Sequence, residues 1–227
     1  VLALIVMFLG GDPSIILNQG VQVSTNNPQV NSSRRRSPEE DRSADFVATV
    51  LADTEDTWPQ VLRENGRNYV QPKLVLFTGS VESACGYAKA AMGPFYCPRD
   101  QKVYIDLSFF QDLRNRHNAP GDFARAYVVA HEIGHHVQNL LGVLPEAHKA
   151  QSRLSKAEAN RVSVMIELQA DCFAGVWANR AQRSRQILEP GDIEEGINAA
   201  SQIGDDRLQS QAQGYVVPDS FTHGSSA

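Results

Sequence analysis

The chain is short of basic charge. Its 21 Lys and Arg stand against 26 Asp and Glu, for a formal net charge of −5 over 227 residues. A nucleic-acid partner needs a basic stripe or patch, and none is advertised. The main charge run, SSRRRSPEEDR at residues 32–42, turns from basic to acidic and reads as solvated linker. The chain also lacks any apolar run of the roughly 20 residues that a membrane-spanning helix needs. VLALIVMFLGG at the start supplies about half of that. No small-residue cleavage site follows it, so residues 1–10 read as the remnant of an N-terminal membrane anchor and not as a signal peptide. Internal repeats are absent. Cysteine is scarce, at three residues. Cys85 and Cys97 flank the Gly- and Pro-bearing stretch ACGYAKAAMGPFYC. They either form a disulfide, which would place the domain outside the reducing cytosol, or stay as buried free thiols. The disulfide is the favoured expectation. Cys172, alone in a helical stretch, reads as a small core residue.

What is present is an ordinary globular composition, 42% hydrophobic and 21% charged. Residues 11–43 hold Gly, Asn, Gln, Ser, Pro and charge without periodicity and read as linker. Residues 44–227 read as one domain. In ADFVATVLADTEDTWPQVLRENG, the residues Phe46, Val47, Val50, Leu51, Trp58, Val61 and Leu62 recur at helical spacing. Pro59 suggests the first turn of a second helix. KLVLFTG (73–79) and KVYIDLSFF (102–110) are short β-branched and aromatic runs, read as strands. GDFARAYVVAHEIGHHVQNLLG reads as a helix with Asp122 as N-cap and Gly142 as its stop. A second long helix is expected over residues 149–185, with Leu154, Val162, Met165, Leu168, Cys172, Val176 and Trp177 as its apolar contacts. Pro190-Gly191 then punctuates, and Asp192 caps a last helix.

The first of the two long helices poses a question, because it carries three histidines and a glutamate in an apolar run. Buried polar groups without partners cost free energy. His131 and His135 are four apart, so both imidazoles share a face and can hold one Zn²⁺, with Glu132 beside the first. Gly134 stands where a side chain would crowd the metal. His136 is turned about 100° from His135 and reads as a core or supporting histidine outside the ligand set. A catalytic zinc usually has three protein ligands and an open position. The next helix offers ELQADCFAG, in which Glu167 and Asp171 share a face. Glu167 is the expected third ligand. Asp171 would accept the free ring N–H of a ligating histidine. Ala170, Ala174 and Gly175 are small enough to let the two helices approach closely.

AHEIGHHVQNLLG with ELQADCFAGVWA, preceded by CG…GPFYCPRDQKVYIDLSFF and followed by DSFTHGSS, resembles the bacterial putative neutral zinc metallopeptidase family. The resemblance covers residue 43 or so to the end, and MFLGGDPSIIL near the start. HExxH alone is weakly specific, but these blocks in this order are strongly so. The HExxH plus ExxxD pattern is also similar to thermolysin-like zincins. The resemblance implies a zincin-like α+β fold, a small sheet packed on long helices that carry the two motifs. It further implies one Zn²⁺ per chain and an N-terminal membrane anchor; with the Cys85–Cys97 disulfide, the catalytic domain is expected outside the cytosol. Family members would begin with a longer apolar run and continue past THGSSA.

The expected activity is hydrolysis of peptide bonds in a peptide or protein substrate. Zinc would lower the pKa of a water, with Glu132 as general base. For the oxyanion, Tyr215 and His223 are the available donors; His223, in a Gly-flanked stretch, is the better candidate of the two, with a solvated histidine as its alternative reading. VYIDL (103–107) is the candidate platform for an extended substrate, one face on the core and one toward the cleft. The alternative function is a non-enzymatic extracytoplasmic domain with a structural zinc site. Such sites are typically closed by four Cys or His ligands. Nothing in the sequence fixes an oligomeric state.

Overall fold

The computed structural model describes residues 36–89, 93–110, 113, 121–202, 216–218, 221 and 225. The expectations placed on residues 1–10, on residues 11–35 of the linker, on Tyr215 and on His223 lie outside these. Helix α1 (Pro38–Glu64) begins within the stretch read as linker. The Ser37 hydroxyl accepts from the Glu40 N–H at 3.2 Å, and the Glu40 carboxylate accepts from the Ser37 N–H at 2.6 Å. This reciprocal cap satisfies two orphan donors, and Pro38 suits the first turn. The polarity of SPEED is thus that of a helix start. Contrary to expectation, α1 also runs through Pro59 without breaking. An internal proline costs about 3 kcal/mol. Trp58 and Leu62, 2% and 3% exposed, are anchored in the core beside it. Burial at about 1.5–3 kcal/mol per large apolar side chain offsets that cost.

Both runs read as strands contain one, but the second stops at Asp106, and Phe109 and Phe110 are helical. β1 (Lys73–Phe77) is followed by the antiparallel pair β2 (Ser80–Ser83) and β3 (Gly86–Lys89), then by β4 (Phe95–Cys97) and β5 (Lys102–Asp106). A three-stranded sheet has the order β1-β5-β4, with β1 parallel and β4 antiparallel to β5. β5 is therefore central, paired by β1 along all of its length and by β4 at Lys102–Tyr104. Val103 and Ile105 enter the main core with the helices, while Tyr104 points the other way and stacks on Phe95 at 4.6 Å, among Phe77 and Cys97. The alternation is present, but the second face is packed and does not meet a cleft. Where both edges are paired, at Lys102–Tyr104, the strand has no free N–H or C=O row for an incoming peptide, so a platform over 103–107 is restricted to the C-terminal end of β5. Cys85 and Cys97 form a disulfide with Cα atoms 5.8 Å apart.

Helix α2 (Asp122–Leu140) has Gly121, not Asp122, as its N-cap residue, and Gly142 at φ 82° follows its end in the left-handed region. Where one helix was expected from residue 149 there are two, α3 (Val143–Gln151) and α4 (Lys156–Arg185), divided by a second capping box between Ser155 and Glu158. α5 (Asp192–Gln202) follows. Helix α4 buries Ser163, Ile166, Ala170, Ala174, Trp177 and Ala181. Val162, Val176 and Trp177 pack as expected, but Met165, Leu168 and Leu154 are 61%, 55% and 40% exposed, and Cys172 is exposed rather than core. The inner face is built from small residues because the helix backbones approach closely there. Met165 and Leu168 fall on the outer face. No helix among the described residues is long and apolar enough to cross a membrane.

Candidate metal centre

Helices α2 and α4 cross at Gly134 and Ala170. A Cβ on Gly134 would lie 2.8 Å from the Ala170 carbonyl oxygen. The glycine therefore makes room for the α4 backbone, and not, as expected, for the metal. This approach brings Glu167 and Asp171, on either side of Ala170, against the histidine face of α2.

His131 Nε2 lies 3.1 Å from His135 Nε2 and 3.2 Å from Glu167 Oε2; His135 Nε2 lies 3.6 Å from the same oxygen. Nitrogen and oxygen ligands of a tetrahedral zinc, at ~2.0–2.2 Å from the metal, stand about 3.4 Å from one another. The three donor atoms thus already form a triangle of the right size. His131 and His135 are buried and Glu167 is half-buried. Glu132 is buried on the same turn of α2.

The other ring nitrogens are engaged. His131 Nδ1 donates to Asp171 Oδ1 at 2.8 Å, and the Tyr127 hydroxyl donates to that same oxygen. Asp171 thus has the place that its spacing from Glu167 implies. His135 Nδ1 lies 2.9 Å from Gln138 Oε1, and Gln138 Nε2 donates to the Ile166 carbonyl at 2.7 Å and to Gln169 Oε1 at 3.0 Å. Tyr127 and Gln138 were not found from sequence. A signal existed: Tyr127 is four residues before His131 and Gln138 three after His135, on the same face of α2. Burial, then the charge and hydrogen bond of Asp171, push the Tyr127 phenol far up, which keeps it a donor. His136 is a core histidine. Its Nδ1 is 3.0 Å from the Tyr96 hydroxyl, its Nε2 donates to the Val70 carbonyl at 2.6 Å, and Tyr69 and Tyr96 pack on its ring.

When both imidazoles are neutral with the proton on Nδ1, two Nε2 lone pairs and a carboxylate oxygen converge with no donor among them. That donor set calls for a shared cation, and two imidazoles with one carboxylate fit zinc. The electrostatics agree. Burial pulls both imidazoles down, but at His131 the hydrogen bonds to Asp171 and Glu167, and at His135 the charge and hydrogen bond of Glu167, outweigh it. Without metal, both are held above the ordinary histidine value of 6.5, with Glu132 adding to each.

The family described as Putative neutral zinc metallopeptidase matches residues 1–227. The chain is 52% identical over 223 residues to "Uncharacterized protein YpfJ" of Escherichia coli (strain K12), covering 98% of this chain and 77% of that one. It is 39% identical over 233 residues to "Uncharacterized protein Mb2605" of Mycobacterium bovis, covering 97% and 77%. No solved structure matches. The chain belongs to the Putative neutral zinc metallopeptidase family, and its α+β architecture is consistent with the zincin-like fold that the motifs implied.

Proposed function

We propose that this chain is a zinc-dependent peptidase in which His131, His135 and Glu167 hold one metal ion and Glu132 is the general base. The observation that carries this reading is the convergence of those three donor atoms beside a buried Glu132. Zinc bound there would supply Lewis acidity, polarising a carbonyl and acidifying water at neutral pH. The remaining work falls to the chain's own groups. Asp171, itself held by Tyr127, fixes the Nδ1 proton of His131 and so aims its Nε2 lone pair inward. Glu132 takes the proton of the attacking water and delivers it to the leaving nitrogen. His223, outside the described residues, is the proposed donor to the developing oxyanion. The disulfide suits an oxidising compartment, and we place the domain outside the cytosol.

The test is cleavage of a diverse peptide mixture read by mass spectrometry, with Glu132→Gln as control. The native chain is expected to cleave. The variant is expected to hold zinc at the same stoichiometry while losing at least about 10²-fold in rate. Undiminished cleavage by the variant would remove Glu132 from its role. Zinc bound in both, no cleavage by either, and unfolding on chelation would instead assign the metal to structure.

A further inference from the structure

The geometry points to Gln138 as a positioning residue that decides which nitrogen of His135 is offered to the metal, under the control of helix α4. The inference rests on the zinc reading of His131, His135 and Glu167. Gln138 is fully buried. Its two carboxamide ends are nearly the same size, so packing alone cannot choose between them, and hydrogen bonding must. Its Nε2 is 2.7 Å from the backbone carbonyl of Ile166, a group that only accepts, and 3.0 Å from Gln169 Oε1. Turning the amide over would set two oxygens against each other at 2.7 Å in a buried place and leave its N–H groups against His135. The carbonyl end is therefore held toward His135, with Oε1 2.9 Å from Nδ1. An amide oxygen cannot donate, so the proton sits on Nδ1 and the Nε2 lone pair faces Glu167 and His131.

Without this constraint a neutral imidazole has two tautomers, and one of them places a proton on the nitrogen that the metal needs. Ile166, which orients the amide, is the residue before Glu167. One turn of α4 thus provides a ligand and also sets the tautomer of the histidine opposite it. The two histidines are served differently. His131 leans on the carboxylate of Asp171, and His135 on a neutral amide, which adds no further negative charge to a site already holding Glu132, Glu167 and Asp171.

The test is zinc affinity by competition with a chelator, on the native chain and on Gln138→Met, which keeps the length and removes the polar atoms. The variant is expected to bind zinc 10- to 100-fold more weakly. A second readout is the His135 Nδ1 proton of the zinc-loaded protein by NMR. It is expected to exchange slowly in the native chain and fast in the variant, with the His131 Nδ1 proton unchanged in both. A variant that melts lower but keeps native zinc affinity and a protected His135 proton overturns the proposal, since Gln138 would then serve packing alone. If the variant does not fold, the native protein still decides, because a rapidly exchanging His135 Nδ1 proton excludes the hydrogen bond. A native chain that binds no zinc overturns the metal reading itself, whereas native binding matched by the variant overturns only the part given to Gln138.

Discussion

His131 and His135 are buried among carboxylates, and this gives folding and metal binding opposite pH dependences. Both imidazoles are held above the ordinary value of 6.5 in the metal-free fold. A raised folded value contributes stability that is fully present below the unfolded value and is lost as pH rises through the folded one. The metal-free protein should therefore lose stability from about pH 6.5 upward through this pair. Zinc must displace the same protons, so its affinity should climb through that window and level off above it. Melting curves of chelated and zinc-loaded protein, with zinc affinity measured at each pH, check both signs. An affinity flat with pH would sink the assignment of the two imidazoles as ligands. Much of this site was legible at the residue scale, because i, i+4 spacing on a helix is a geometric fact. HExxH and ExxxD each place two side chains on one face whatever the rest of the chain does. For Tyr127 and Gln138 only the shared face was legible, since each gains its role by meeting α4, at Asp171 and at the Ile166 carbonyl.

The crossing of α2 and α4 holds the two halves of the site together, and Gly134 sets its distance. In Gly134→Ala the new Cβ would meet the Ala170 carbonyl oxygen at 2.8 Å and its Cα at 3.1 Å. These are backbone atoms inside a helix, so α4 must shift as a body. Overpacking of this kind costs about 1–3 kcal/mol, and the shift would carry Glu167 away from both histidines. Gly134→Ala should therefore melt lower and bind zinc more weakly. Gly175→Ala is the matched control. It lies on the exposed side of α4 with nothing within 4 Å of the new atom. Better helix propensity should make it neutral or up to about 1 kcal/mol more stable. Zinc affinity unchanged in Gly134→Ala would mean that the crossing does not set the site. The same contact explains what the sequence hid at this scale. Large apolar residues mark part of the inner face of α4, Ile166 and Trp177, but its closest approach is made by Ala170 and Ala174, which apolar periodicity does not single out. The helix starts at Pro38 and Lys156 were legible in SPEE and SKAE, which have the capping-box pattern. The first was absorbed into the linker and the second into a helix that seemed continuous. At the N-terminus of α2, where Gly121 has no side chain to cap with, the Glu195 carboxylate of α5 accepts from the Phe123 N–H at 3.2 Å. A cap lent by a distant helix leaves no trace in local sequence.

Across the molecule, a second, smaller packing unit lies on the far face of the sheet. That unit holds Phe77, Phe95, Cys97 and Tyr104, and the Cys85–Cys97 disulfide closes it. It is tied to the helices through Tyr96. The Tyr96 hydroxyl meets His136 Nδ1 at 3.0 Å and accepts from Asn139 Nδ2 at 3.1 Å, one residue beyond His135 in one case and one turn beyond in the other. The disulfide spans 12 residues, and closing a loop of this size removes about 3 kcal/mol of unfolded-state entropy. Replacing both cysteines by serine should lower stability in urea by about that amount. The thiols report the same bond directly. Of three cysteines in the chain, two are in the disulfide and Cys172 is exposed. Native protein should react with one equivalent of a thiol reagent, and unfolded, reduced protein with three. If three equivalents react without reductant, the bond is absent. The placement of this domain outside the cytosol would then lose its physical support, while the zinc chemistry on α2 and α4, which uses no cysteine, would stand unchanged.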